Sequence, residues 1–550
     1  MSDGRAIIKV DGELFGVADA AAHVGARYAA IGPTALKQLR GFYCAAIDDG
    51  PRTILASDHI GSRPLYYACR GDRVLHATSV RGVLAQLPER PTLDSRAIAD
   101  FVLLGFVLGV RTYYNGIALV PAATTLVFER GTEVGRDTWW RFSYAVDPAG
   151  PRSQAHWIEA LSTTFLAAFA EMNPERGPFT VPLSGGMDSR ALVAALHALG
   201  KSAIAYTIGD EGSDELHIAR EVARRLGIPH HAWAMKPADV LGWIEDGVHT
   251  TEGMFLAFDA HVLFLARKLR RESGVALDGT SSCDGFYSLL DLARQHLGQT
   301  MAWPAQAAAV FTGPLFDADG ELAMPELFAS ARCEEMRAYL RAALQELRDT
   351  IPVDLQNPFD RIDFLEMSQR IRRYTLNGTL LLRQHREVRH PFFHPDVLAL
   401  VGRMPTSLRR KEKPVVSRMV TRLAPALAGV PYERTGVPGE ASAAYILLGQ
   451  ALRVARRKLP FAAPQRSRMA TDYPRFLRES PALQDFVRAT LLSEQALGRG
   501  LFEPDAVRRL VEDYLAGRGP PLALLSRLLA LELWQRGRLG DEAPGKLSEP

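Results

Sequence analysis

The sequence has few cysteines, little net charge and no long apolar run, and each absence removes a class of protein. Four cysteines in 550 residues are not a disulfide framework. Cys44, Cys69, Cys283 and Cys333 show no C-x-x-C pairing of the kind a structural zinc site uses. The 65 Lys and Arg residues against 62 Asp and Glu leave a net charge of +3, too small to imply nucleic-acid binding by itself. The most apolar stretch, residues 97–110, is interrupted by Asp100 and is shorter than a membrane span. The opening MSDGRAIIKV carries Asp3 and no apolar core of signal-peptide length. What remains is a soluble globular chain, expected in a reducing cytoplasm and with no membrane partner. Its 47% hydrophobic and 23% charged residues are ordinary for that class and exclude a disordered or coiled-coil chain.

A chain of this length supports two large domains without metal or disulfide staples. GFYCAAIDDG, PRTILASDHIGSRPLYYACRGDRVLHAT and ATTLVFERGTEVG are short β-branched or aromatic runs cut by Asp-Gly, Gly-Asp and Pro. They predict hairpins, and so an antiparallel layered domain over residues 1–145. AVDPAGPRSQ, residues 145–154, reads as a linker. Beyond it the pattern alternates: a helix over 155–172, the strand PFTVPL, the turn SGGMDS, and the helix RALVAALHALG. The strand SAIAYTIG and the helix SDELHIAREVARRLGI follow. This βαβα order predicts a doubly wound parallel sheet, in a second domain over residues 155–540 that turns mostly helical after Met336.

The strongest local signal is VPLSGGMDSRALVAAL. A strand ends at Leu183, Ser184-Gly185-Gly186 turns, and a helix starts near Asp188. Two glycines let backbone approach a ligand closely and take positive φ, and free N–H groups at the helix start make an anion cradle. Ser184 and Ser189 add hydroxyl donors, and Asp188 is a good Mg²⁺ ligand. Phosphate with Mg²⁺ points to a nucleotide. The loop fits neither G-x-x-x-x-G-K-[ST] nor G-x-G-x-x-G. By itself the same loop also reads as a plain turn, with Asp188 as an N-cap.

LSGGMDS resembles the SGG-x-DS pyrophosphate loop of the ATP-pyrophosphatase enzymes, and three later segments are similar to asparagine synthetases. These are YTIGDEGSDELHIAREVARRLGIPHHAW, then HREVRHPFFHPDVLALVGRMP, then KEKPVVSRMVTRLAP with YERTG. LRGFYCAAIDD, ILASDHIGSRPLYYA and TYYNGIALVPAATTLV resemble the class II glutamine amidotransferase domain that precedes the synthetase domain in that family. The resemblance implies an Ntn-type amidotransferase-like sandwich followed by an ATP-pyrophosphatase sheet. It implies ATP and Mg²⁺ as cofactors, with Leu183, Ser184, Gly185, Gly186, Asp188, Ser189, Thr207, Ile208, Gly209 and Gly279 around the nucleotide. Glu387 would be the base that deprotonates or orients the attacking amine. Lys413, with Lys411 as the register alternative, would neutralise the acyl-adenylate phosphate.

The departures from the family are as informative. The glutaminase nucleophile, a cysteine directly after the initiator methionine, is replaced in Met1-Ser2-Asp3-Gly4, and the Arg of A-R-D-x-x-G is Ser57. Cys44 lies in an apolar strand pattern and reads as core. The first domain is therefore expected to be a structural remnant with no glutaminase nucleophile. In the metal segment the family's G-x-G-x-D-E is ALDGTSSCDGFYS. Cys283 takes the Asp place when the segments are aligned on Gly279, leaving Asp284, or Asp278, as the second metal ligand beside Asp188. Between Glu366 and Val420 stand ten arginines and two lysines against four acids, which suits an anionic partner or is ordinary surface charge. His385, His390 and His394 follow no metal-site spacing and read as packing or pocket residues.

The expected activity is that of an AMP-forming carbon–nitrogen ligase. It would adenylate a small-molecule or peptide carboxylate, release pyrophosphate and let an amine attack, and a homodimer is compatible with it. The missing cysteine favours a substrate that carries its own amine, as in the β-lactam synthetase and lasso-peptide cyclase relatives. An asparagine synthetase fed free or externally supplied ammonia is the alternative. Outside this class stand an inactive scaffold and an enzyme that adenylates tRNA, the latter opposed by the low net charge.

Overall fold

The computed structural model describes residues 6–144, 152–175, 177–270, 274–280, 327–328, 330–449, 471–518 and 522–539, with the single positions 150, 291 and 303. Strands β1 (Ile7–Leu14), β2 (Gly41–Asp49), β3 (Arg52–Ser57), β7 (Thr124–Glu129) and β8 (Thr132–Thr138) form an antiparallel sheet in the order β1-β2-β3-β7-β8. β4 (Tyr66–Arg70), β5 (Arg73–Ala77) and β6 (Ala118–Leu119) form a second antiparallel sheet in the order β5-β4-β6. The turn signals Asp49-Gly50, Gly71-Asp72 and Arg130-Gly131 join β2 to β3, β4 to β5 and β7 to β8, with positive φ at Gly50, Gly71 and Gly131. β2 is buried along Gly41–Ile47, so it reads as a continuous apolar run rather than an alternation.

The second layer is a five-stranded sheet in the order β11-β10-β9-β12-β13, parallel throughout. Its strands are β9 (Phe179–Pro182), β10 (Ala203–Ile208), β11 (His230–Trp233), β12 (Ala276–Leu277) and β13 (Val388–Arg389). The chain winds from β9 outward through β10 to β11 and then returns to β12 on the other side of β9. That reversal between β9 and β12 is the topological switch, where loops at the carboxyl ends part and leave a crevice. The helices Met187–Ala198 and Asp214–Leu226 are the crossovers. Ser213 caps the second, its hydroxyl accepting from Leu216 N at 3.3 Å, and Gly227 ends it in the left-handed region. The mixed α/β class and the antiparallel-then-parallel order match the expectation from sequence.

The two layers share one apolar core. A single cluster runs from Phe42, Tyr66 and Phe101 through Trp157, Phe165 and Leu192 to Leu529 and Trp534. Phe165 of the Gln154–Met172 helix meets Phe392 at 4.7 Å between ring centroids. The polar part of the contact is made by arginines. Arg373 donates from Nε to Val107 O at 2.9 Å and from Nη2 to Arg111 O at 2.6 Å. Arg372 reaches Val120 O, Arg383 reaches Ser62 O at 2.7 Å, and Arg527 reaches Val102 O and Leu103 O at 2.9 and 3.1 Å. Arg372 and Arg373 lie on Glu366–Thr375, a π-helix, a winding that is rare and concentrates at functional sites.

These contacts correct one expectation. Of the basic cluster between residues 370 and 418, Arg372, Arg373, Arg383, Arg386, Arg389 and Arg409 are interior donors to backbone carbonyls or to acids. Their charge is satisfied inside the fold, because a buried guanidinium needs acceptors wherever it lies, and so these six are no evidence for an anionic partner.

At the edge of the same contact Arg40 lies among Glu171, Asp396 and His394, at 3.2, 2.9 and 3.4 Å from Nη2. It occupies the centre of that group of metal-capable side chains with a cation of its own. His394 is fully buried, accepts the Asp396 N–H at Nδ1 (3.3 Å), and burial pushes its pKa down to about 4.

Two stability predictions follow from this contact. Arg373→Met strands two buried carbonyls and should cost roughly 2–5 kcal/mol, read from urea denaturation. The pH dependence has a definite sign for His394. Unfolded histidine takes its proton near pH 6.5 and folded His394 near 4, so its contribution is complete above about pH 6.5 and is lost as pH falls. Between those values its slope should reach about 1.4 kcal/mol per pH unit. His394→Asn should flatten the acid limb of a stability–pH curve by that amount, and an unchanged limb would refute the assignment.

Candidate active site

The loop after β9 stands at the switch. Leu183 N donates to Tyr206 O at 2.8 Å and Thr207 Oγ1 donates to Leu183 O at 2.7 Å, so β9 and β10 are tied together where they leave the sheet. Ser184 N donates to Ser189 Oγ at 3.1 Å, the two hydroxyls are 3.0 Å apart, and Gly186 N donates to Ser184 Oγ at 3.1 Å. The helix Met187–Ala198 begins after Gly186 with no side-chain cap hydrogen bond, the kind of helix start whose first-turn N–H groups can receive an anion.

The glycines act through space and not through positive φ, contrary to expectation. Gly186 has φ −77°, and neither glycine of the loop is left-handed. A Cβ on Gly185 would come within 3.0 Å of Glu433 Cβ and 3.3 Å of Glu215 Cα. Arg190, 1% exposed, holds the loop from behind by donating to Gly185 O, Val430 O and Pro431 O at 3.2, 3.2 and 2.9 Å. A Cβ on Gly279, after β12, would be 3.1 Å from Ser189 N, so the two loops of the switch touch there.

Lys413 is 1% exposed, sits at φ +50° before the helix Pro414–Leu423, and its ammonium is hydrogen-bonded to Asp188 Oδ2. A lysine in that backbone region costs of order 1–3 kcal/mol, a strain that recurs at functional sites. Of the two lysines in the register alternative it is Lys413 that reaches the loop. Lys411 supplies only its carbonyl, to Tyr432 OH at 3.3 Å. Asp278 lies beside the loop, with Thr280 N donating to its Oδ1 at 2.6 Å and His390 Nδ1 at 3.9 Å from its Oδ2. His390 is fully buried and burial pushes its pKa down to about 3, so it is neutral. Cys283 and Asp284 lie outside the described residues, as do Met1, Ser2, Asp3 and Gly4.

A cavity of about 740 Å³ opens over the switch. Leu183, Ser184, Thr207, Ile208 and Gly279 line it, and Gly185, Gly186, Asp188 and Ser189 are their immediate neighbours on the loop. Gly209 continues the β10 edge, donating to Trp233 O at 3.0 Å. Glu387 stands apart. It is not among the described lining residues, and its carboxylate is bound by Arg63 of the first layer, whose Nη1 is also 3.5 Å from Asp11. Arg63 is delivered by a tight loop in which Asp58, fully buried, accepts from Tyr43 N, Ile60 N and Ser62 N and Oγ. Asp259, Tyr374 and Tyr473 also line the cavity and belong to no sequence motif, whereas Glu215, Arg370 and Glu433, likewise in its lining, lie in SDELHIAREV, in the basic run and in YERTG.

Residues 161–428 match the Asparagine synthase family and residues 7–140 match the Glutamine amidotransferase domain. The carboxyethyl-arginine beta-lactam-synthase of Streptomyces clavuligerus is 25% identical over 226 residues, 40% of this chain and 40% of that protein. The glutamine-hydrolyzing asparagine synthetase 3 of Bacillus subtilis is 23% identical over 263 residues, 44% of this chain and 42% of that protein. The aligned stretch thus spans about two fifths of each relative. A Mycobacterium bovis protein named as an asparagine synthetase is 24% identical over 557 residues, covering 94% of this chain and 80% of its own. Among the described residues no helix is long and apolar enough to cross a membrane.

Proposed function

This chain carries an asparagine synthase family domain behind a glutamine amidotransferase domain, and from that premise we propose that it is an ATP-dependent amide ligase that forms AMP and does not hydrolyse glutamine. The observation that carries the reading is the Ser184–Gly186 loop at the switch point with Lys413 locked onto Asp188. The first layer is proposed to span residues 1–145 and the ligase layer residues 155–540.

In this mechanism Ser184, Gly186 and the first turn of the Met187–Ala198 helix hold the pyrophosphate end of ATP by backbone N–H groups and hydroxyls. The donor set fits a hard divalent cation: Asp188 with the cavity acids Glu215, Asp278 and Glu433 offers oxygen alone. Asp188 and Asp278 would hold Mg²⁺, with Asp284 as the further candidate. Bound Mg²⁺ supplies charge neutralisation at the phosphates. The substrate carboxylate attacks the α-phosphorus, pyrophosphate leaves, and an acyl-adenylate forms. The amine then attacks the acyl carbon, AMP leaves, and the amine proton passes to a base, a role proposed for Glu387, whose carboxylate lies outside the described cavity lining and would have to exchange its Arg63 partner to serve. Lys413 balances charge on the adenylate phosphate as the tetrahedral oxyanion develops.

Three features of the first layer and its boundary with the second support an amine that does not come from glutamine. Cys44 is 2% exposed, and burial pushes its thiol well above the ordinary range, so it is no nucleophile. Among the described residues, the cavity between the layers at Ser62, Arg372 and Arg373 is about 20 Å³, room for a water. Arg63 and Arg383 fill the neighbouring space with hydrogen-bonded guanidinium groups. The substrate is accordingly proposed to bear its own amine, in the manner of the beta-lactam-synthase relative. The reaction belongs with small-molecule or peptide carboxylates in the cytoplasm.

ATP–pyrophosphate exchange is the direct test. The wild type with Mg²⁺ and a suitable carboxylate should exchange, and Asp188→Asn and Lys413→Met should each lower the rate at least 100-fold, the order of one lost electrostatic stabiliser. Aspartate-dependent exchange would instead favour an ammonia-using asparagine synthetase, and no Mg–ATP binding would leave a scaffold. Glutamine supplied to the purified protein should yield no glutamate, and release abolished by Ser2→Ala would overturn the remnant reading.

A further inference from the structure

Where β12 and β13 leave the sheet, their register sets an acid beside a histidine. The two strands run parallel with Ala276 opposite Val388 and Leu277 opposite Arg389. One step further Asp278 falls opposite His390, and Asp278 N donates to Arg389 O at 2.9 Å, so the pairing continues to this point. Residues opposite each other on neighbouring strands project to the same face. Asp278 Oδ2 is accordingly 3.9 Å from His390 Nδ1. Asp278 lines the cavity, and its other oxygen is anchored, Oδ1 accepting from Thr280 N at 2.6 Å.

His390 is fully buried, and its ring is fixed from three sides. Phe42 of the first layer meets it edge-on at 5.7 Å between ring centroids, and Phe393 lies at 6.2 Å. On the third side Arg383 Nη2 is 3.2 Å from Nε2. A guanidinium can only donate, so Nε2 presents its lone pair and the ring proton sits on Nδ1. That Nδ1–H has no hydrogen-bond partner among the described residues. A buried donor without an acceptor is costly, and the acid set opposite this one is Asp278. The separation is about 1 Å beyond hydrogen-bond length, a gap that rotation of the carboxylate about its anchored Oδ1 can close. Arg383 is itself placed by the first layer. Its Nη1 donates to Ser62 O at 2.7 Å, and Ser62 is bound through N and Oγ to the buried Asp58.

We infer that His390 is a positioning residue: Arg383 sets it in the Nδ1–H tautomer, and through that proton it orients Asp278 as a ligand for the divalent cation that accompanies ATP. The inference rests on the amide-ligase reading of this cavity and adds to it a residue that need not touch the nucleotide. A carboxylate held at both oxygens by N–H donors loses little freedom when it ligates, and each oxygen keeps a second lone pair for the cation. The line from Asp58 through Ser62, Arg383 and His390 ends on Asp278, so a loop of the first layer contributes to the geometry of a ligand in the second.

The probe is α,β-methylene-ATP, titrated calorimetrically into the full-length protein with saturating Mg²⁺ and again in EDTA. The ratio of the two dissociation constants is the gain due to the cation. His390→Leu should lower that gain about 10-fold, the order expected for an outer partner of a metal ligand, and leave the value in EDTA unchanged. His390→Asn, whose amide reproduces the donor at Nδ1, should keep most of the gain. His390→Gln, whose amide falls at the Nε2 place, should lose it as the leucine variant does. In an Asp278→Asn background His390→Leu should have no further effect on the gain. A histidine that only packs would weaken binding with and without Mg²⁺ alike, and in either background. Should His390→Leu fail to fold, the contrast between the asparagine and glutamine variants decides. An unchanged gain in His390→Leu, equal gains in the asparagine and glutamine variants, or a full effect of His390→Leu beside Asp278→Asn overturns the inference and leaves the ligase reading intact. A wild type that binds the analogue equally well without Mg²⁺ overturns it too. Failure of the wild type to bind the analogue at all strikes the ligase reading, and this inference with it.

Discussion

Buried arginine paired to backbone carbonyl is the interaction on which this molecule depends. Arg372, Arg373, Arg383 and Arg527 extend from the helical half into the antiparallel half and satisfy carbonyls of Val120, Val107, Arg111, Ser62, Val102 and Leu103. Burial pushes the Arg372 pKa down to about 9 and those of Arg383 and Arg527 to about 10, so holding the charge there is costly. The carbonyl acceptors are the compensation, and they are available only when the two halves are docked. The contact is thereby specific in register as well as adhesive.

That docking has a consequence for the site. The π-helix Glu366–Thr375 sends Arg372 and Arg373 into the first layer and Arg370 and Tyr374 into the cavity. The Asp58 loop places Arg63 on Glu387 and offers Ser62 O to Arg383, whose guanidinium is also 3.2 Å from His390. The first layer thus has a structural role in the second. It fixes side chains of the second half, and its loss would expose an apolar core that both halves share.

The legible part of the site was the part made by contiguous chain. A strand, two glycines, an acid and an uncapped helix start follow one another in seven residues, and hydrogen-bonding rules suffice to assemble them. Even there the reason for glycine was misread. Positive φ can be read locally, whereas the approach of Glu433 to Gly185 joins positions far apart in sequence. The basic run between residues 370 and 418 misled for the same reason. Its composition says that positive charge is present, but only packing decides whether each guanidinium meets a ligand or a carbonyl. Asp259 had no local signal at all, since one acid in an apolar helical stretch is unremarkable until Tyr374 and Tyr473 arrive from other elements.

By itself the sequence determined the order of layers and the parallel sheet with its switch at the Ser184 loop. These follow from periodicity, turn chemistry and short motifs, all of which act over a few residues. Tertiary structure alone decided that Lys413 rather than Lys411 reaches Asp188, that Glu387 is held by Arg63 across the layer boundary, and that the cavity is acidic on both walls. Each of those outcomes sets a charge against a partner tens to hundreds of positions away. The energy of a charge in a protein interior is fixed by which partner it meets, and not by its neighbours in the chain.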